Sequence, residues 1–230
     1  MKPPLIAALT LIAISSYGQF FVQKLSQYEI QNAEKVSLIT NELDTISGRV
    51  TSVSYIDSTL NKLTLKISGE KQKFALAQIK AIHIIPGEFA DYEDMALVPV
   101  LKSAGNEEFI KVLPEDGLVI YEKIRLPGKR ERYALTQLLN PGFDNKLKVY
   151  AHPEASSSGS GSLNGLTLTG QRDNKHLVAL NGARPFAINE FNYRKRALQE
   201  IYSSCALLKE QKLKWKDFAK HVFTFDQKCP

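Results

Sequence analysis

Between Lys35 and Ile85 the chain repeats a short pattern of alternating apolar and polar residues, broken every few residues by turn formers. Alternation with period two places every second side chain on one face, which a strand can bury and a helix cannot. Val36-Ser37-Leu38-Ile39 opens the series, and Asn41 to Thr45 reads as a turn. Ile46 to Tyr55 alternates along a β-branched run, Asp57-Ser58 turns the chain, and Leu60 to Ile67 is a half-buried strand with Leu63, Leu65 and Ile67 on one face. Ser68-Gly69-Glu70-Lys71 predicts a hairpin turn, with glycine supplying the backbone angles that other residues resist. Lys73 to Leu76 returns, Ile79 to Ile85 closes the set, and Pro86-Gly87 stops it. Five short strands at this spacing predict a small, strongly bent barrel or sheet.

The order of these runs, Val36-Ser37-Leu38, the Gly48 strand, Leu63-Thr64-Leu65 and Ile79–Ile85, resembles an Sm-like or other SH3-like barrel over residues 35–86. The Asp-x-x-Asn and Arg-Gly loops of RNA-binding Sm proteins are missing, so the resemblance implies a shape and none of the RNA-binding residues.

The compartment is read from the first residues. Lys2 gives a positive start, Leu5 to Ile14 is an apolar run broken only by Thr10, and Ser16 and Gly18 stand three and one residues before Gln19. This is the three-part pattern of a secretory signal over 1–18, cleaved near Gly18/Gln19. A membrane span needs roughly 20 apolar residues, about twice this run, so no transmembrane span is expected in the mature chain. Cleavage would leave 212 residues and lower the formal charge from +6 to +5. Hydrophobic content of 43% and charged content of 23% are ordinary for a chain that buries a core. Residues 19–34 show no clear period and read as a tether or an added strand. Cys205 and Cys229, both in the last 26 residues, predict a disulfide in an oxidising compartment. Closing that loop restricts the unfolded chain by roughly 3–4 kcal/mol in the chain-entropy model.

Glu88, Asp91, Glu93 and Asp94 form an acidic loop without the spacing of a calcium site. Residues 105–230 then read as an antiparallel meander: Phe109–Leu113, Leu118–Leu126, Arg132–Leu139 and Leu147–Tyr150 as strands, with turns at Pro114–Gly117, Pro127–Lys129 and Asn140–Gly142. Ala155–Ser162 has the composition of a flexible connector or a mobile loop inside a sheet. Strands resume at Leu166–Leu168 and His176–Leu180, separated by the polar turn Gln171–Asn174. Two helices end the chain. Asn189 caps the first, whose expected apolar stripe is Phe191, Leu198, Ile201, Tyr202, Cys205 and Leu208. The second carries Trp215, Phe218, Ala219, Val222 and Phe223. The expected fold class is therefore α+β, mostly antiparallel β, a small barrel-like sheet plus a β-meander with a C-terminal helix pair. This layout resembles small exported proteins of Bacteroidetes-type Gram-negative bacteria, which implies a periplasmic or secreted location and no mechanism.

Catalytic sets are missing from the sequence. His83, His152, His176 and His221 are too scattered to suggest one metal, and read as structural groups. Ser68-Gly69-Glu70-Lys71 spells Ser-x-x-Lys but falls in a hairpin, and no nucleophile elbow, phosphate loop or dinucleotide fingerprint follows a strand. No catalytic residue, metal or cofactor is assigned. The one binding candidate is the basic turn Lys123, Arg125, Lys129, Arg130 and Arg132, flanked by Tyr121 and Tyr133 and diluted by Glu122 and Glu131. Arg194-Lys195-Arg196 forms a second group. Such patches hold anionic chains, although basic strand edges also guard against aggregation. The expectation is a non-catalytic binding or structural module of the cell envelope, its partner an envelope protein or an anionic glycan, with no nucleic acid. The alternative is a secreted hydrolase using carboxylates that the sequence does not single out.

Overall fold

The computed structural model describes residues 21–22, 24–25, 27–56, 59–85, 118–153, 157–163, 166–173 and 175–230. The secretory signal, the acidic loop, the Phe109–Leu113 strand and the Pro114–Gly117 turn lie outside the described residues.

Alternation produces strands where the sequence predicts them. β1 (Lys35–Thr40), β2 (Thr45–Ile56), β3 (Thr59–Ile67), β4 (Glu70–Ala75) and β5 (Ile79–Ile85) follow in order. β6 (Val119–Arg125) and β7 (Tyr133–Leu138) form the next hairpin. β1 pairs with β2 and β5, β2 with β3, β5 with β6, and β6 with β7, all antiparallel. A pairing of Leu60 on β3 with Leu135 on β7 closes these six strands into a barrel. The closed barrel thus extends beyond residues 35–86, because β6 and β7 supply two of its staves. β4 pairs with β3 from outside the barrel.

Two local features bend the sheet. The β2–β3 register slips between Val50 and Ser52 and between Ser54 and Tyr55, and such bulges increase curvature. At Gly48 the backbones come so close that an added Cβ would stand 2.9 Å from the Lys66 carbonyl oxygen. Ser68 and Gly69 both take positive φ, 51° and 94°, as a tight hairpin turn requires. Inside, aliphatic side chains such as Val36, Leu38, Leu65, Ile82 and Ile84 are fully buried.

Residues in the expected tether fold onto this barrel. α1 (Gln27–Gln31) follows Leu25, and Leu25, Ile30 and Ala33 are buried in the barrel core. The Leu25 amide donates to Gln137 Oε1 at 2.8 Å, and the Tyr121 hydroxyl reaches the same oxygen at 3.3 Å. Phe21, a few residues earlier, packs instead in the second core, against Phe143 and Phe218.

β8 (Leu147–Ala151), β9 (Ser157–Leu163), β10 (Leu166–Asp173), β11 (Lys175–Leu180) and β12 (Phe186–Asn189) complete the strands. The Ser/Gly-rich segment expected as a connector or mobile loop is strand β9, paired with β10 as a separate two-stranded sheet. β10 also runs through Asp173, so the polar turn expected at 171–174 is mostly strand. β8, β11 and β12 continue the main sheet through a single β7–β8 pairing, Leu138 opposite Tyr150. Their alternation serves two cores. Leu177, Ala179 and Tyr150 pack with Ile124 and Leu138 of the β6–β7 hairpin, while Leu147, Val149, Ala151 and Val178 face the helices.

The helical layer begins at α2 (Glu190–Arg196), capped as predicted: the Asn192 amide donates to Asn189 Oδ1 at 3.0 Å and the Asn189 amide to Asn192 Oδ1 at 2.9 Å. The expected continuous stripe needs correction. Phe191 is 98% exposed, and Tyr193, Ala197 and Ile201 form the buried row instead. A wider π turn over Ala197–Ile201 shifts the helical phase, so both Ile201 and Tyr202 point inward, and the helix then breaks before the short α3 (Ala206–Lys209). A 3-10 turn at Trp215–Asp217 leads into α4 (Phe218–Lys228), where Phe218, Val222 and Phe223 are buried as expected. Cys205 and Cys229 lie at disulfide distance, 5.3 Å between Cα atoms, joining the start of α3 to the end of α4. No helix among the described residues is long and apolar enough to cross a membrane.

Candidate functional site: a basic hairpin tip beside a half-buried carboxylate–lysine cluster

β6 and β7 are joined by Leu126–Arg132, and the Leu126 amide donates to the Arg132 carbonyl at 2.8 Å. Gly128 sits at φ 129°, a backbone state that side chains resist, which lets the loop turn back. The loop is held from outside. Arg184 Nη2 donates to the carbonyls of Gly128 (2.5 Å) and Leu126 (3.3 Å). Arg184 is placed by the β11–β12 turn, where Asn181 and Gly182 take positive φ of 48° and 74°. An Asn-Gly pair between two apolar runs is a strong hairpin signal, and it marks in the sequence the turn that presents this arginine.

The five basic residues of the sequence candidate separate in space. Lys129, Arg130 and Arg132 stand exposed at the tip and make no ion pair among the described residues. Arg125 is half-buried, its guanidinium 4.0 Å from Glu131 and its Nε without a hydrogen-bond partner among the described residues. Lys123 does not belong to the tip. Its Nζ donates to Asn41 Oδ1 at 2.7 Å and to the Ala77 carbonyl at 3.3 Å, fastening β6 to the β1–β2 turn. Glu131 does dilute the tip: it accepts from the Tyr133 hydroxyl at 2.8 Å, and that bond, followed by the carboxylate charge, raises the phenol above its usual range.

Glu122 does not dilute it. Ile120, Glu122, Ile124 and Leu126 share the face of β6 that meets β8 and β11, and there Glu122 accepts from Lys148 Nζ at 2.6 Å and from the Tyr150 hydroxyl at 2.5 Å. Asp144 stands 3.5 Å from the same ammonium. Burial raises the Asp144 carboxyl above its ordinary range against the pull of Lys148. Burial also works against the Lys148 charge, but Glu122 and then Asp144 outweigh it, and the ammonium is raised. Burial and the Glu122 bond push the Tyr150 phenol far up, so it stays a neutral donor. A single glutamate between Ile120 and Ile124 on an apolar face was the sequence signal for this cluster, since a buried carboxylate needs a partner.

Two of the histidines are buried against aromatic rings. His221 Nδ1 lies 2.5 Å from the Tyr193 hydroxyl, and His176 is stacked on Trp215 and Phe218. Burial first, then His152 and Lys24, push the His176 imidazole down to about 3. Its Nδ1 has no hydrogen-bond partner among the described residues. No group of three or more metal-ligating side chains occurs among the described residues.

No protein-family model, no curated protein and no solved structure matches this chain.

Proposed function

We propose that this chain is an exported, non-catalytic binding module of the cell envelope that takes an anionic partner, a glycan or an acidic protein face, at the β6–β7 hairpin tip. The observation that carries the reading is the trio Lys129, Arg130 and Arg132, exposed on a loop whose backbone Arg184 clamps from the neighbouring turn. A clamped loop loses less conformational freedom when it binds, so three cations on it hold an anion more tightly than the same cations on a floppy segment. The leader-like first residues and the two cysteines at disulfide distance support an oxidising compartment, periplasmic or extracellular.

The test is affinity electrophoresis of the full chain through a gel containing an acidic polysaccharide such as alginate. Retardation that falls at least about tenfold in K129E/R130E/R132E, and falls with added salt, supports the site. Equal retardation of both chains removes it. A second reading, a hydrolase working with Glu122 and Asp144, is favoured by both carboxylates meeting Lys148. Against it, the two acids already share that ammonium between packed strands, which suits a structural ion cluster. Activity on a panel of glycosides or esters that vanishes in E122Q would favour the enzyme.

A further inference from the structure

We infer that the outward face of α2 seats the protein on an anionic phospholipid surface, at a site separate from the hairpin tip. Phe191 carries the inference. It is 98% exposed, whereas the other exposed large hydrophobic side chains among the described residues range from 48% to 62%. A phenyl ring held in water by a capped helix keeps its apolar surface available for transfer into a membrane interface. Arg194 and Lys195 follow it by three and four residues, so they lie on the same face, and both are exposed. Arg196 is engaged elsewhere, with Glu200 at 3.1 Å and over the Phe186 ring at 4.9 Å.

The surroundings carry the same sign. From Glu190 to Pro230 the chain has nine Lys and Arg against five Asp and Glu, so this layer supplies four of the six net positive charges. Two of the acids do not oppose an anionic surface: Asp226 is buried, accepting from the Lys146 amide, and Glu200 is paired. Glu190, on α2 itself, does oppose it. Leu207, 53% exposed on α3, adds a second apolar side chain to the layer. A bilayer is the occupant that matches this chemistry. It receives a protruding ring without needing a pocket around it, which a water-soluble glycan does not, and it offers phosphates to Arg194 and Lys195.

Co-sedimentation of the full chain with vesicles of phosphatidylglycerol and phosphatidylcholine, against phosphatidylcholine alone, tests the proposal at low salt. Binding to the anionic vesicles only is expected, with each cation contributing about fivefold to the partition coefficient. F191S and R194E/K195E should each weaken it about tenfold or more, with K129E/R130E/R132E closer to the parent. F191W should gain fluorescence that lipids brominated on their acyl chains quench. The proposal is overturned if anionic vesicles do not bind the parent, if binding survives both α2 variants, if only the hairpin variant loses it, or if F191W is not quenched. Binding to alginate without binding to vesicles also overturns it, and leaves the hairpin reading standing.

Discussion

The barrel core and the helical core are built from different materials. The barrel buries valine, leucine and isoleucine between backbone ladders, and one of its buried polar groups, Gln137, is met by the Leu25 amide and the Tyr121 hydroxyl. The helical core is aromatic. Phe21, Phe143, Tyr193, Tyr202, Trp215, Phe218, Phe223 and Phe225 meet there from segments far apart in sequence, with His176 and His221 among them. The difference is one of what carries the geometry. Ladder hydrogen bonds hold the barrel staves even where one side chain is trimmed, whereas the short helices α2 and α3 are too brief to persist without their packing. Imidazoles buried among the aromatic rings also tie the stability of the helical core to acid pH.

The largest expected effect separates the two cores directly. Phe218 packs on Phe21, His176, Tyr193 and Trp215. Phe218→Ala should cost about 3–5 kcal/mol and loosen α2–α4 while the barrel amides of β1, β2 and β5 stay protected from hydrogen exchange. Equal loss of protection in both regions would show one cooperative unit instead of two cores.

Acid should act on the same region. The folded His176 titrates near 3 and the unfolded one near 6.5. Above 6.5 both forms are neutral and its contribution is complete. As pH falls from 6.5 toward 3, the unfolded chain takes up a proton that the folded one refuses, so stability declines by on the order of 4 kcal/mol. Burial lowers His221 as well, and the loss there has the same sign. Urea unfolding from pH 7 to pH 3 should show a shallower decline in His176→Phe than in the parent, and parallel curves would rule out a neutral His176 as the source.

The smallest of the three tests the barrel alone. In Gly48→Ala the new Cβ would stand 2.9 Å from the Lys66 carbonyl and 3.0 Å from Ile67 Cγ1, so β2 and β3 must move apart. About 1–3 kcal/mol is expected, appearing as a lower midpoint in urea with no change in its pH dependence.

Legibility in the sequence followed the range of the interactions. Strand alternation, the Ser68-Gly69 turn, the Asn189 cap and the buried face of α4 depend on residues a few positions apart, and all are present as expected. The phase of α2 was not legible: Tyr193, Ala197, Ile201 and Tyr202 share one core with Val149 and Val178 across a π turn, and Phe191 stays outside it. At the candidate site the exposed Lys129, Arg130 and Arg132 could be read from one turn, but their clamp, Arg184, lies more than 50 residues away.

By itself the sequence determined an antiparallel β-rich chain with a C-terminal helix pair, because period two and helical spacing are local consequences of backbone geometry. Only the tertiary structure decided that β7 returns to β3 to close the barrel, that Lys123 leaves the basic turn for Asn41, and that Glu122 turns inward to Lys148. Those outcomes depend on which faces meet across the fold. No spacing along the chain encodes that meeting; burial and charge pairing select it once the strands are assembled.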